Sequence, residues 1–109
     1  MKRWYKGNLH SHTTNSDGVW TPEQSAKNYR DAGYSFLCFS DHDLYTDYRR
    51  ELGKKNFLIL PGVEATAVLF DDEGNTVRLH HMNGILGTES MQKGALESTF
   101  SHMEKVEPD

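Results

Sequence analysis

An α/β fold, a βαβαβ run followed by a hairpin and a helix, is predicted by three features of the sequence. Helix signals twice feed a short apolar run, an extended stretch precedes the first of them, and a turn-rich pentapeptide separates two further extended stretches. Trp4 to His10 forms the opening strand, with Asn8-Leu9-His10 at its carboxyl end. Thr21 is placed as an N-cap, Pro22 as the first helical residue and Gln24 as the return arm of a capping box, which predicts a helix from Pro22 to Ala32. Gly33 ends it in the left-handed conformation, and Phe36 to Phe39 follows as a strand buried on both faces. The pattern then repeats: Asp43 caps a second helix through Leu52, Gly53 ends it, and Phe57-Leu58-Ile59-Leu60 makes the third strand. Val63 to Phe70 and Thr76 to Leu86 read as a hairpin across Asp71-Asp72-Glu73-Gly74-Asn75. From Glu89 to Lys105, the spacing of Met91, Ala95, Leu96, Phe100 and Met103 gives a helix with one apolar stripe that needs a partner surface.

The 109 residues allow one domain, and the architecture stops before a parallel barrel of about 200 residues or more would close. The sequence therefore reads as the opening part of a larger domain, with the missing C-terminal half of the barrel as its partner. Twelve Lys+Arg against 16 Asp+Glu give a net charge of −4, which argues against a phosphate-backbone footprint and carries no strong nucleic-acid-binding signal. No apolar run approaches the roughly 18 residues of a membrane span, and Met1-Lys2-Arg3 leads into polar sequence instead of a signal segment; the expectation is a cytoplasmic protein. The lone Cys38 lies inside an apolar run and reads as a buried, inert thiol.

Chemistry is carried by the histidines, six in all. His10-Ser11-His12 is weak as an isolated H-x-H, since about 0.3 such triplets arise by chance at this composition. Its place matters more, because residues i and i+2 of a strand share a face and both imidazoles leave the carboxyl end of the first strand together. Asp17, followed by Gly18, lies in a polar loop that can fold back over that end, as a ligand or as an ordinary turn aspartate. Ser40-Asp41-His42-Asp43 follows the second apolar run, so His42 is a candidate ligand, with Asp41 either a carboxylate behind the ligands or a helix cap competing with Asp43. Glu64 holds the corresponding place after the third run. Carboxyl ends of parallel strands are where α/β folds bind ligands. Of the adjacent His80 and His81, alternation lets at most one join such a site. His102 stands alone on the last predicted helix, and Lys6 and Arg78 read as solvated cations.

Taken in order, Asn8-Leu9-His10-Ser11-His12-Thr13-Thr14-Asn15-Ser16-Asp17-Gly18, Ser40-Asp41-His42-Asp43, Gly62-Val63-Glu64 and His81-Met82-Asn83-Gly84 resemble the first four motifs of the PHP (polymerase and histidinol phosphatase) family of metallohydrolases. The resemblance covers residues 7 to 87. It implies the N-terminal portion of a distorted seven-stranded β/α, TIM-like barrel and a metal-dependent phosphoesterase acting on phosphate mono- or diesters. Carried over residue by residue, it gives His10 and His12 to a first metal, Glu64 to a bridge between first and second, Asp17 and His42 to a third, and His81 to the second. Glu64, His10 and His12 then act catalytically through a metal-activated hydroxide. Mixed imidazole and carboxylate ligands suit divalent manganese or zinc, with iron possible, up to three ions in a complete site. The implied substrate is a phosphorylated small molecule or a nucleotide.

The family pattern continues with a histidine from a later strand and an Asp-x-His pair; here only His102 follows His81, alone within a helical stripe and unable to supply them, so full activity is expected only in a longer parent chain. Two alternatives stay open: a non-catalytic metal-binding or regulatory module, and an amidohydrolase-type C–N hydrolase, whose barrel also opens with H-x-H.

Overall fold

The structure, a computed structural model, describes residues 2–89. Seven elements follow in chain order: β1 (Gly7–Asn8), α1 (Pro22–Asp31), β2 (Phe36–Cys38), α2 (Arg49–Leu52), β3 (Leu58–Leu60), β4 (Gly62–Phe70) and β5 (Thr76–Ile85). β1, β2 and β3 form a parallel sheet in that order, with Gly7 opposite Phe36 and Phe36 opposite Leu58. β4 and β5 make a separate antiparallel pair. The described residues are thus mixed α/β with two open sheets and no closed barrel. Among them, no helix is long and apolar enough to cross a membrane.

α1 forms where the capping signals place it. The Gln24 amide donates to Thr21 Oγ1 at 3.2 Å and the Thr21 amide donates to Gln24 Oε1 at 3.0 Å, satisfying two of the donors that a helix start leaves open. Gly33 ends the helix with φ +86°, a conformation costly for any residue with a Cβ. The helix turns Ser25 and Ala26 into the interior. There Ala26, Leu37, Phe39, Phe57 and Ile59 make one buried cluster, edged by Tyr29, Tyr34, Tyr48 and Leu52. Burial of each large member contributes roughly 1.5–3 kcal/mol.

Pro61 separates β3 from β4. Lacking an N–H, it cannot extend the β3 ladder, and the chain passes directly into the hairpin. The hairpin tip is held by Asp71, whose Oδ1 accepts the amides of Glu73 (2.9 Å) and Asn75 (2.8 Å), bonds that hold its carboxyl below the usual range.

Three sequence expectations are corrected. β1 is two residues long, not Trp4 to His10, because Trp4 and Tyr5 stand in solvent with nothing to pair against. α2 is a single turn, and Asp43 does not cap it: Asp43 sits at φ 53°, its amide donates to Glu64 O at 2.9 Å and its carboxylate accepts the Thr66 amide at 2.7 Å. The segment 42–46 is instead drawn alongside β4 by bridges from His42 to Glu64 and from Thr46 to Gly62. Gly53 ends α2 as expected, in an extended conformation. β3 is buried on one face only, with Leu58 59% exposed and Ile59 3%, as suits the edge of a three-stranded sheet. The helix expected over 89–105, with His102, extends beyond the described residues, which end at Glu89.

Candidate metal centre

Alternation along the segment after β1 builds the first part of the site. Ser11 points inward, where its hydroxyl donates to Cys38 O at 2.7 Å and its backbone exchanges bonds with Ser40: Ser11 N to Ser40 Oγ at 3.2 Å and Ser40 N to Ser11 O at 2.8 Å. His10 and His12, on either side of Ser11, therefore both point out, and their Nε2 atoms lie 3.0 Å apart. The same rule acts after β2, where Asp41 is fully buried and His42 turns the other way. Glu64, in β4, is tied backbone to backbone to this segment, its amide donating to Asp41 O at 3.0 Å. β5 adds His81, directly across from Thr66 and hence on the face of Glu64, while His80 lies opposite Ala67 on the other face. Thr66 Oγ1 is 3.4 Å from His81 Nδ1, a contact the sequence reading did not single out.

Two carboxylates bracket this set of imidazoles. Glu64, 7% exposed at its side chain, places Oε1 3.0 Å from His10 Nε2, and Oε2 3.3 Å from His12 Nε2 and 3.0 Å from His42 Nδ1. Asp17, 69% exposed, places Oδ1 3.4 Å from His12 Nδ1 and Oδ2 3.3 Å from His42 Nε2. The His12 and His42 rings thus lie between a buried and a solvated carboxylate, with centroids 4.4 Å apart, and His81 lies 5.4 Å beyond His42. His12 Nδ1 is shielded from water and makes no hydrogen bond; the Asp17 oxygen approaches at ion-pair geometry only.

All six candidate residues named from the sequence come together here. They form three groups whose ligand atoms lie within 4.8 Å of one another: His10, His12 and Glu64; His12, Asp17 and His42; His42, Glu64 and His81. The donor set fits a divalent transition metal, being rich in imidazole with two carboxylates, and it includes a buried ring nitrogen, His12 Nδ1, without a hydrogen-bond partner. Each pair of groups shares one residue. Glu64 can serve two ions through its two oxygens, but a neutral imidazole carries one lone pair and serves one. With His12 given to His10 and Glu64, and His42 given to Asp17, each ring is used once: one group has three protein ligands, and the pairs Asp17 with His42 and Glu64 with His81 have two each. An ion held by either pair would keep positions open to water.

Cys38, beneath the site, is fully buried, and burial pushes its thiol up to about 11. It is no nucleophile at neutral pH. No protein-family model matches the chain, and no curated protein matches it.

Proposed function

We propose that this protein is a metal-dependent phosphoesterase, hydrolysing phosphate mono- or diesters with manganese or zinc held by His10, His12, Asp17, His42, Glu64 and His81. The observation that carries the reading is the linkage of three ligand groups through shared residues, which gathers several cations within reach of one phosphate. The motif order that resembles the PHP family supports it, and the finer reading of the fold follows: β1, β2 and β3 are the opening strands of a β/α barrel of that type.

Divalent ions bound there supply Lewis acidity toward phosphoryl oxygens and acidify a water. The chain's own residues do the rest. Glu64, sunk beneath the imidazoles, keeps two ligand groups at a fixed spacing through its two oxygens, and its burial excludes water from that side. His12 and His42 turn ring nitrogens toward Glu64 and Asp17 on either side of the centre. His10, Asp17 and His81 are the exposed members of the set, so the substrate's phosphate enters from the side they share with solvent. Hydrolysis forms one P–O bond from water and breaks the P–O bond to the leaving alcohol, which departs with a proton.

The test is turnover of p-nitrophenyl phosphate and bis(p-nitrophenyl) phosphate by the chain loaded with manganese or zinc, read beside binding of inorganic phosphate. Metal-dependent hydrolysis or phosphate binding, abolished in Glu64→Gln, is the expected result. A loaded chain that neither binds phosphate nor cleaves either ester, or that hydrolyses a cyclic amide instead, overturns the proposal.

A further inference from the structure

Asp41 is the most deeply buried carboxylate among the described residues, and no Lys, Arg or His among them pairs with it. Removing a charge from water without a counter-ion is costly unless hydrogen bonds replace the lost hydration. Here three donors do so: Thr13 N at 2.6 Å and Ser16 Oγ at 2.7 Å to Oδ1, and Thr13 Oγ1 at 2.9 Å to Oδ2. Bonds of this charge-assisted kind are short and about twice as strong as neutral ones.

The donors are placed with respect to the ligands. Thr13 directly follows His12, and Ser16 directly precedes Asp17. Both ends of the link between those two ligands are therefore fastened to one buried carboxylate, itself next in sequence to His42. The loop closes on itself above, with Ser16 N and Gly18 N both donating to Thr13 O at 3.0 and 2.8 Å. A side chain at Gly18 would strike the His12 carbonyl, so the turn that brings Asp17 back over His12 depends on glycine there. The rest of the centre has separate supports. His10 and His12 are fastened from their other side by Ser11, and the Glu64 amide donates to the Asp41 backbone carbonyl, not to its carboxylate.

We infer that Asp41 is a positioning residue for one of the three ligand groups: its carboxylate fixes where Asp17 stands over His42, beside His12, and so governs metal affinity at the Asp17 and His42 pair. The inference rests on the metal-centre reading above. Asp41 offers no atom to an ion, since both oxygens are committed to Thr13 and Ser16. An asparagine keeps most of the arrangement, with Oδ1 accepting from Thr13 N and Ser16 Oγ and Nδ2 donating to Thr13 Oγ1; an alanine keeps none of it.

The experiment titrates the full chain with zinc, in wild type and in Ser16→Ala, Asp41→Asn and Asp41→Ala. Ion number and affinity are read by calorimetry, and the ring-nitrogen NMR shifts of His10, His42 and His81 report which group fills. Loss of supports behind metal ligands typically costs 10–100-fold in affinity, and a loss of about tenfold in Ser16→Ala and about 100-fold in Asp41→Ala is expected, confined to the ion that shifts His42 together with Asp17. Asp41→Asn restores affinity to within about threefold, and the ion that shifts His10 binds as in wild type throughout. Ser16→Ala removes one hydroxyl near the surface and decides the matter if Asp41→Ala does not fold. Equal affinities in wild type and Ser16→Ala, or a parallel loss of every ion, overturn the inference while leaving the metal centre standing. A wild-type chain that takes up no zinc overturns the metal-centre reading itself.

Discussion

The carboxyl ends of β1, β2 and β3 bury Ser11, Thr13, Ser40, Asp41 and Glu64, whereas the amino ends of the same strands leave Trp4, Tyr5 and Leu58 in solvent. A cleft of about 540 Å³ lies at the amino ends, lined by Tyr5, Ser35, Phe36, Lys55, Asn56 and Leu58. It has volume and apolar walls but no cluster of acid and imidazole. At the carboxyl ends the buried polar groups are satisfied by one another, beneath the imidazoles and the solvated Asp17 carboxylate. Sinking five polar side chains under a site is favourable only when each finds a partner, and the partners found here hold ligands at set distances.

That contrast can be broken at several points. Phe39→Ala, which hollows the core directly beneath the carboxyl ends, is expected to cost about 3–5 kcal/mol in urea unfolding. A loss under 1 kcal/mol would mean that the core does not support that end. Ser11→Ala removes the bond to Cys38 O and is expected to cost about 1–3 kcal/mol, with metal affinity at His10 and His12 lowered about tenfold. Unfolding and zinc titration of the same variant read both.

A third effect concerns Cys38. Its folded-state pKa is raised, so the unfolded chain loses the thiol proton first, and stability falls as pH rises from the ordinary thiol range toward about 11. Below that range the contribution is fully present. The measurement is urea stability between pH 8 and pH 11 in wild type and Cys38→Ala, with the alkaline decline shallower in the variant. At the amino end, Leu58→Ser should change stability by less than about 0.5 kcal/mol and leave zinc affinity untouched, because Leu58 is already in solvent. A fall in metal affinity in that variant would show that the two ends are not independent.

What was legible in the sequence was local. Thr21 with Gln24, Gly33 after α1 and the Asp71 to Asn75 turn each act within a few residues, and each forms as written. Period-two alternation puts His10 and His12 on one face, and position after an apolar run marks His42 and Glu64; Asp17 and the choice of His81 over His80 come from the resemblance in motif order. Non-local pairing was not legible. Asp43 carries every mark of a helix cap, yet β4 takes both its amide and its carboxylate, and the helix shrinks to Arg49–Leu52. Asp41 was left between two roles for the same reason, since its donors Thr13 and Ser16 are 28 and 25 residues away. Leu58 reads as core by composition, and only its position at a sheet edge exposes it.

The central claim is that the strand ends gather a metal centre, and the most direct test is metal content per chain by elemental mass spectrometry. Wild type and His10→Ala/His12→Ala are dialysed side by side against buffer with trace manganese and zinc. The account predicts about one ion or more retained by wild type, since His10, His12 and Glu64 supply one three-ligand group, and a collapse toward zero in the double variant. No retained metal, or equal content in the two proteins, would contradict it.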